Sequence, residues 1–396
     1  MKLFKNLLSF IATVALTVNV VSPDTSVAIN TSIRISEVPA KYVRSAHKNY
    51  FDDINSVSDY VRENMTIRNE NIEFSVPPDF DGRETVGFVL RNSTTETKKS
   101  NQGDYLRKSI NYVEYSIIPT DDDITIILNV NYNTTAQQEK LVEEKIIEIL
   151  NELNIEKKND YYKISEIYNY IINNVRYATY STDDLKYTAY GALYNGEAVC
   201  QGIASLFYRM AKEAGVSCRM IVGYAGEPHA WNITSIDGVY YLLDPTFDLY
   251  FNKVSDCKYF LCGADDFDDY NKKITHIAAS SEMELSNLDF DYESESFKAD
   301  YPISSEKFTF RNNGDANADG HTDAIDASMI LSAYAELSTN GKSNFSTVQE
   351  LTADVNNDKE INSVDASMIL QYYAYISTAQ AEEHIKPENF FKQEVI

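Results

Sequence analysis

Apolar side chains at Leu141, Val142, Ile146, Ile147 and Leu150, with Glu and Lys between them, recur at three and four residues over positions 135–153. That is the period of an amphipathic helix. The same spacing predicts helices over 52–64, 161–174 and 200–214. In the last of these Ile203, Leu206, Phe207, Met210 and Ala214 share a face, and Gly215 sits where a C-terminal cap belongs. Between the helices, residues 71–76, 111–118 and 123–132 are rich in Ile, Val and Tyr and are bounded by Pro77-Pro78 or by Pro119 and a run of Asp, which predicts strands and turns. Residues 219–224 read as another strand. Two β-prone runs, 229–236 and 239–244, flank Asp237-Gly238, a strong short-range hairpin signal. From 265 to 301 Asp, Glu, Ser and Tyr crowd the chain without periodicity, so a solvated linker is placed at 293–311.

Beyond the linker the chain repeats itself. Asp315, Asn317, Asp319, Asp323 and Asp326 occupy positions 1, 3, 5, 9 and 12 of a loop that runs into Ala-Ser-Met-Ile-Leu. Asp354, Asn356, Asp358, Asn362 and Asp365 do the same before an identical helix start. Oxygen donors at these positions, with a backbone carbonyl at position 7 from His321 and Glu360, make the ligand pattern of a helical calcium loop. The two segments resemble the duplicated halves of a type I dockerin. The resemblance implies a small all-α module at 312–385, followed by a tail at 386–396, with two calcium ions and a scaffoldin cohesin domain as partner. It places the partner contacts at Ala324, Ile325, Ser363 and Val364. Lys359 stands at position 6, where a glycine is expected because the backbone there favours a left-handed conformation, and this predicts a weaker second site.

Lys+Arg 35 against Asp+Glu 60 gives the chain a net charge of −25. A surface of that sign repels phosphate backbones and anionic lipid, so nucleic-acid and peripheral-membrane functions are excluded. Residues 311–396 carry 14 of the acids against 5 bases, and part of that excess is accounted for as calcium ligand. At the other end, Lys2 and Lys5, an apolar stretch over 7–21 and Ser26-Val27-Ala28 read as an export signal at 1–28. The stretch has about 15 apolar positions where about 20 are needed to span a bilayer, so a secreted product without an anchor is expected. Four cysteines, Cys200, Cys218, Cys257 and Cys262, are too few and too local for a disulfide-built scaffold, although Cys257 and Cys262 are close enough in sequence to bridge.

Cys200 opens the 200–214 helix, where the dipole and first-turn amides stabilise a thiolate and an oxyanion. If Asp237 and Gly238 form a two-residue turn, Ile236 pairs with Val239 and Trp231 lies opposite Asp244. His229 is then diagonal to Asp244 on the same sheet face, within about 7 to 8 Å between backbones. Nucleophile, base and orienter are thus available as Cys200, His229 and Asp244. Ala198-Val-Cys200-Gln-Gly202, His229-Ala-Trp231-Asn232 and Tyr241-Leu-Leu-Asp244-Pro-Thr246 resemble the core motifs of the transglutaminase-like superfamily. That resemblance implies an α+β, papain-like catalytic core at 151–292 behind an N-terminal α+β extension at 29–150. It assigns Cys200 as nucleophile, His229 as general base and acid, Asp244 as orienter of the imidazole and Gln201 as a candidate oxyanion contact, with no catalytic cofactor.

The function expected from these features is a secreted cysteine peptidase or amide hydrolase, plugged by its dockerin into a cellulosome-like complex and acting on protein or peptide. Crosslinking or deamidation by the same thioester chemistry, and a non-catalytic binding module on the same fold, are the alternatives. A glycoside hydrolase ranks below them, because the first 300 residues carry no distinct carboxylate-pair signal.

Overall fold

The computed structural model describes residues 34–39, 49–271, 273–280, 291–310, 312–379 and 385–393. The expected export signal and its cleavage site lie outside these residues. Strand β1 (Arg34–Glu37), helix α1 (Ile54–Thr66), strand β2 (Asn71–Val76), helices α2 (Gly82–Ser93) and α3 (Asp104–Ser109), and strands β3 (Ile110–Pro119) and β4 (Ile124–Tyr132) form the front of the chain. The sheet runs β1-β3-β4-β2, antiparallel except for β1 against β3. Its inner face, with Ile72, Phe74, Ile126 and Leu128, packs on Val57, Val61 and Met65 of α1 and Val86, Val89 and Leu90 of α2. Helix α2 is absent from the sequence reading, although Asp81 caps it and its apolar residues have helical spacing.

Helix α4 (Ala136–Glu152) starts in a capping box between Thr135 and Gln138. Its Val142, Ile146, Ile149 and Leu150 enter a second core, with α5 (Asp160–Asn174) and α6 (Cys200–Glu213), rather than the first. The compact unit behind the expected triad therefore reaches back before residue 151. A short parallel pair, β5 (Arg176–Tyr177) with β6 (Glu197–Ala198), leads into α6. Across α6 lies a sheet in the order β10-β7-β8-β9, made of β7 (Cys218–Tyr224), β8 (Pro228–Ile236), β9 (Val239–Leu243) and β10 (Ile277–Ala278).

Buried charge joins the first unit to the second. Asp104, fully buried, accepts Arg219 Nε at 2.7 Å, Arg219 Nη2 at 3.1 Å and the Met220 amide at 2.9 Å, and it pairs with Arg107. Glu96 accepts Lys212 Nζ at 2.7 Å and the Tyr208 hydroxyl at 2.9 Å. Glu139 takes Arg68 at 2.9 Å and Arg209 at 3.7 Å.

The C-terminal module has its own core. Helices α7 (Ala324–Asn340) and α9 (Ser363–Thr378) pack through Ala327, Ile330, Ala366, Ile369 and Tyr372, with α8 (Thr347–Ala353) beside them. Both loops adopt one backbone. Ala318 and Gly320 have φ of 60° and 87°, and Asn357 and Lys359 have 59° and 69°. Lys359 thus holds the left-handed conformation for which glycine is expected. Its ammonium lies 3.6 Å from Glu166 and over the Tyr162 ring, both on α5. The Asp237 carboxylate accepts the Thr347 and Val348 amides at 3.0 and 3.1 Å, which ties the module to the hairpin as well. Among the described residues no helix is long and apolar enough to cross a membrane.

Because Asp104 pairs with two buried guanidinium groups, Asp104→Ala removes that carboxylate from both and leaves Arg219 the longer Glu96 contact at 3.6 Å, and stability is expected to fall by about 3 to 5 kcal/mol. Chemical denaturation of the full chain measures this. A loss below about 1 kcal/mol would show that the network is not what joins the two units.

Candidate active site

The site is assembled around the β8–β9 hairpin. Asp237 and Gly238 both have positive φ, 51° and 84°, the conformation of a type I′ turn whose twist suits the flanking strands. Ile236 pairs with Val239 and Asn232 with Leu243, so the ladder carries Trp231 toward Asp244 and leaves His229 diagonal to it, in the register that the sequence predicts. The side chains meet there: His229 Nε2 lies 2.7 Å from Asp244 Oδ2. Asp244 Oδ1 accepts the Thr246 amide at 2.8 Å and the Phe247 amide at 3.4 Å, because Asp244 caps the single turn Pro245–Asp248. His229 stacks on Phe247 at 4.8 Å and on the buried Trp231 ring at 6.1 Å between ring centres.

Cys200 is the first residue of α6. Val199 before it is extended and offers no side-chain cap, so no side chain covers the helix start from that position. Gly202 lets this first turn pack closely: a Cβ there would fall 2.6 Å from the Lys186 carbonyl oxygen and 2.9 Å from that of Thr188. The Cys200 side chain is fully buried and interacts with the His229 imidazole. Gln201, the candidate oxyanion contact, is the second residue of α6. Its amide Nε2 donates to the Lys108 carbonyl at 3.3 Å and is buried, so that donor is already engaged.

Burial alone would push the His229 imidazole down, but the charges of Asp244 and Cys200 beside it outweigh burial and raise it. Burial would likewise raise the Asp244 carboxyl, and His229 with His276 holds it well below the usual carboxylate range instead. The arrangement thus favours an imidazolium against a carboxylate, the form in which an oriented histidine can give a proton to a leaving group.

His276 is the residue that sequence reasoning missed. Its Nε2 lies 3.3 Å from Asp244 Oδ2 and its Nδ1 lies 2.7 Å from Asp268 Oδ1. The neighbouring strand β10 brings it in, with Ile277 pairing to Tyr224 and Ala278 to Gly223. A Cβ at Gly223 would sit 2.0 Å from the Ile277 carbonyl oxygen, so glycine is what admits β10. A glycine inside the predicted strand 219–224 was the available signal of a close backbone approach.

All four cysteines are free and buried, so Cys257 and Cys262 do not bridge. Burial pushes the Cys218, Cys257 and Cys262 thiols up, which marks them as unreactive packing groups.

In the C-terminal loops the carboxylates expected as ligands accept backbone amides of their own loop. Asp315 accepts the Asp319 and Gly320 amides at 3.1 and 3.0 Å, and Asp354 accepts those of Asp358 and Lys359 at 3.1 and 2.9 Å. Asp326 and Asp365 are fully buried at the ends of the loops, each accepting two loop amides. Burial, with the charges of Asp354 and Asp358, pushes Asp365 up to about 6. Ala324, Ile325, Ser363 and Val364 lie at the starts of α7 and α9, and all four are exposed.

Two family models match the chain. One, described as the transglutaminase-like superfamily, covers residues 148–245, and the other, described as the type I dockerin domain, covers residues 313–373. No curated protein matches. Among solved structures, one described as "Crystal structure of a TGase" is 14% identical over 40% of this chain and 56% of its own, with a TM-score of 0.27. This chain thus spans little more than half of that one. Residues 148–245 are thus similar to the transglutaminase-like superfamily, and residues 313–373 to type I dockerin domains.

Proposed function

We propose that the protein is a secreted cysteine amide hydrolase of peptidase type, anchored by its dockerin to a scaffoldin cohesin in a cellulosome-like complex. The observation that carries the reading is the continuous buried contact from Cys200 to His229 to Asp244. In the proposed cycle the Cys200 thiolate attacks the carbonyl carbon of an amide, forming a C–S bond. The C–N bond breaks as His229 gives its proton to the departing amine, leaving a thioester on Cys200. Water then attacks the thioester while His229 takes its proton, and the acid leaves as the thiolate is restored. Asp244 keeps the imidazole turned toward sulfur through both transfers. Backbone amides at the start of α6 are the groups placed to meet the oxyanion, since the Gln201 side chain is engaged elsewhere.

The dockerin loops fit calcium by the chemistry of their donors. Asp315, Asn317, Asp319, the His321 carbonyl, Asp323 and Asp326 would hold one ion. Asp354, Asn356, Asp358, the Glu360 carbonyl, Asn362 and Asp365 would hold another. Bound there, the ions supply positive charge to carboxylates that otherwise crowd one another. Ile325 and Val364, 57% and 50% exposed at the helix starts, are the apolar contacts offered to the cohesin. A hollow lined by Asn356, Asp358, Val364, Ser367 and Met368 continues this surface at the second repeat.

A peptide mixture incubated with the protein and with Cys200→Ala, with and without a primary amine, tests the chemistry by mass spectrometry. Cleavage or deamidation with the native chain is expected, and a loss of at least about 1,000-fold in Cys200→Ala. Undiminished hydrolysis by that variant would overturn the reading, and products found only with the amine would reassign the protein as a transferase. Calorimetric titration with calcium is expected to give two ions per chain, the weaker lost in Asp365→Ala. Failure to bind calcium would remove the anchoring half of the proposal.

A further inference from the structure

The three residues of the proposed triad leave a second buried imidazole on the same carboxylate. His276 Nε2 approaches Asp244 Oδ2 at 3.3 Å, the oxygen that His229 Nε2 meets at 2.7 Å, and His276 Nδ1 lies 2.7 Å from Asp268 Oδ1. The His276 side chain is 2% exposed, walled by the Phe267, Trp231 and Phe247 rings at 4.4, 5.0 and 5.3 Å. Among the described residues the titratable groups facing it are Asp244, Asp268, His229 and Tyr259.

A neutral imidazole has one N–H and one lone pair. Placed between two ionised carboxylates, which only accept, it can satisfy one and must turn its lone pair on the other. Only the imidazolium donates to both. Burial opposes that charge, and the two carboxylates outweigh burial.

The charge bears on catalysis. In the proposed cycle His229 must hold a proton and then release it, and the buried Asp244 carboxylate alone would grip the imidazolium strongly. A second cation on the same oxygen, with its ring centre 5.6 Å from that of His229, weakens that grip without moving the carboxylate. The three donor atoms lie within 4.8 Å of one another, and each is engaged in the hydrogen bonds just described.

We propose that His276 is a positioning residue: a buried cation clamped between Asp268 and Asp244 that fixes the Asp244 carboxylate and lowers the pH at which His229 gives up its proton. This rests on the amide-hydrolase reading of Cys200, His229 and Asp244.

Ring-nitrogen NMR of histidine-labelled full chain, with pH–rate profiles of the native protein, Asp268→Asn and His276→Gln, tests it. Both His276 nitrogens are expected to be protonated at neutral pH. In Asp268→Asn the amide can donate to Nδ1, so a neutral His276 keeps its bond to Asp244 and loses only its charge. Asp268 is 28% exposed, so this variant disturbs the core least. The basic limb of kcat/KM is then expected to move up by about one to two pH units, as for a unit charge at this range and an effective dielectric of about 20. KM stays within about twofold, and His276→Gln moves the limb the same way with kcat lowered by about tenfold. A neutral His276 in the native protein, or variants that lose activity equally at every pH with the limb unmoved, would overturn the proposal. If Cys200→Ala still hydrolyses amides, the triad reading falls and this inference with it. If Cys200→Ala is inactive and the limb stays, only the role of His276 falls.

Discussion

One buried carboxylate organises the site. Asp244 lies at the end of β9, fully buried, with one oxygen fixed by two backbone amides and the other shared by two imidazoles. An ionised carboxylate out of water is costly unless all its oxygens are satisfied, and here they are. Its charge raises His229, and its fixed position orients that ring toward Cys200. The hairpin turn, the Asp244 cap and the arrival of β10 are all conditions for this one group to be ionised where it is.

The remainder of the fold holds the two sides of the site together. Cys200 rides on α6 while His229 and Asp244 ride on the sheet, so their contact depends on how the helix packs across the strands. Trp231, Phe207 and Met210 fill that interface. The front unit braces it through Asp104 on Arg219 and through Glu96 on Lys212, which fastens both β7 and α6 to the same neighbour. At the far end of the hairpin, Asp237 holds the start of α8, so the turn that sets the catalytic register also touches the dockerin. Lys359 adds a contact from the second repeat loop to α5, at the loop position where glycine is expected.

Where local chemistry dictates geometry, the sequence was legible. Asp237-Gly238 permits a two-residue turn with positive φ at both positions, and from that turn the register of the strands follows by counting. Cys200 at a helix start and the duplicated loops before α7 and α9 were likewise readable, because capping and loop repeats are local. What escaped depends on contacts distant in sequence. His276 follows Asp244 by 32 residues in a stretch without periodicity, and only the two-residue pairing of β10 with β7 brings it back. The contact of the Gln201 side chain with the Lys108 carbonyl, 93 residues away, was not readable either. Helix α2 had both cap and spacing and was overlooked because it is short and follows Pro77-Pro78. The grouping of α4 with the second core could not be read from its amphipathic pattern, which shows that a face is buried but not against what.

The central claim is that amide bonds are opened through a covalent thioester on Cys200. Rapid acid quench of the protein during turnover of a peptide, followed by intact-mass and peptide mapping, measures this directly. An acyl adduct confined to the peptide containing Cys200, discharged by water or by added amine, is the expected result. Turnover of the peptide with no adduct on Cys200 at any quench time would contradict the account.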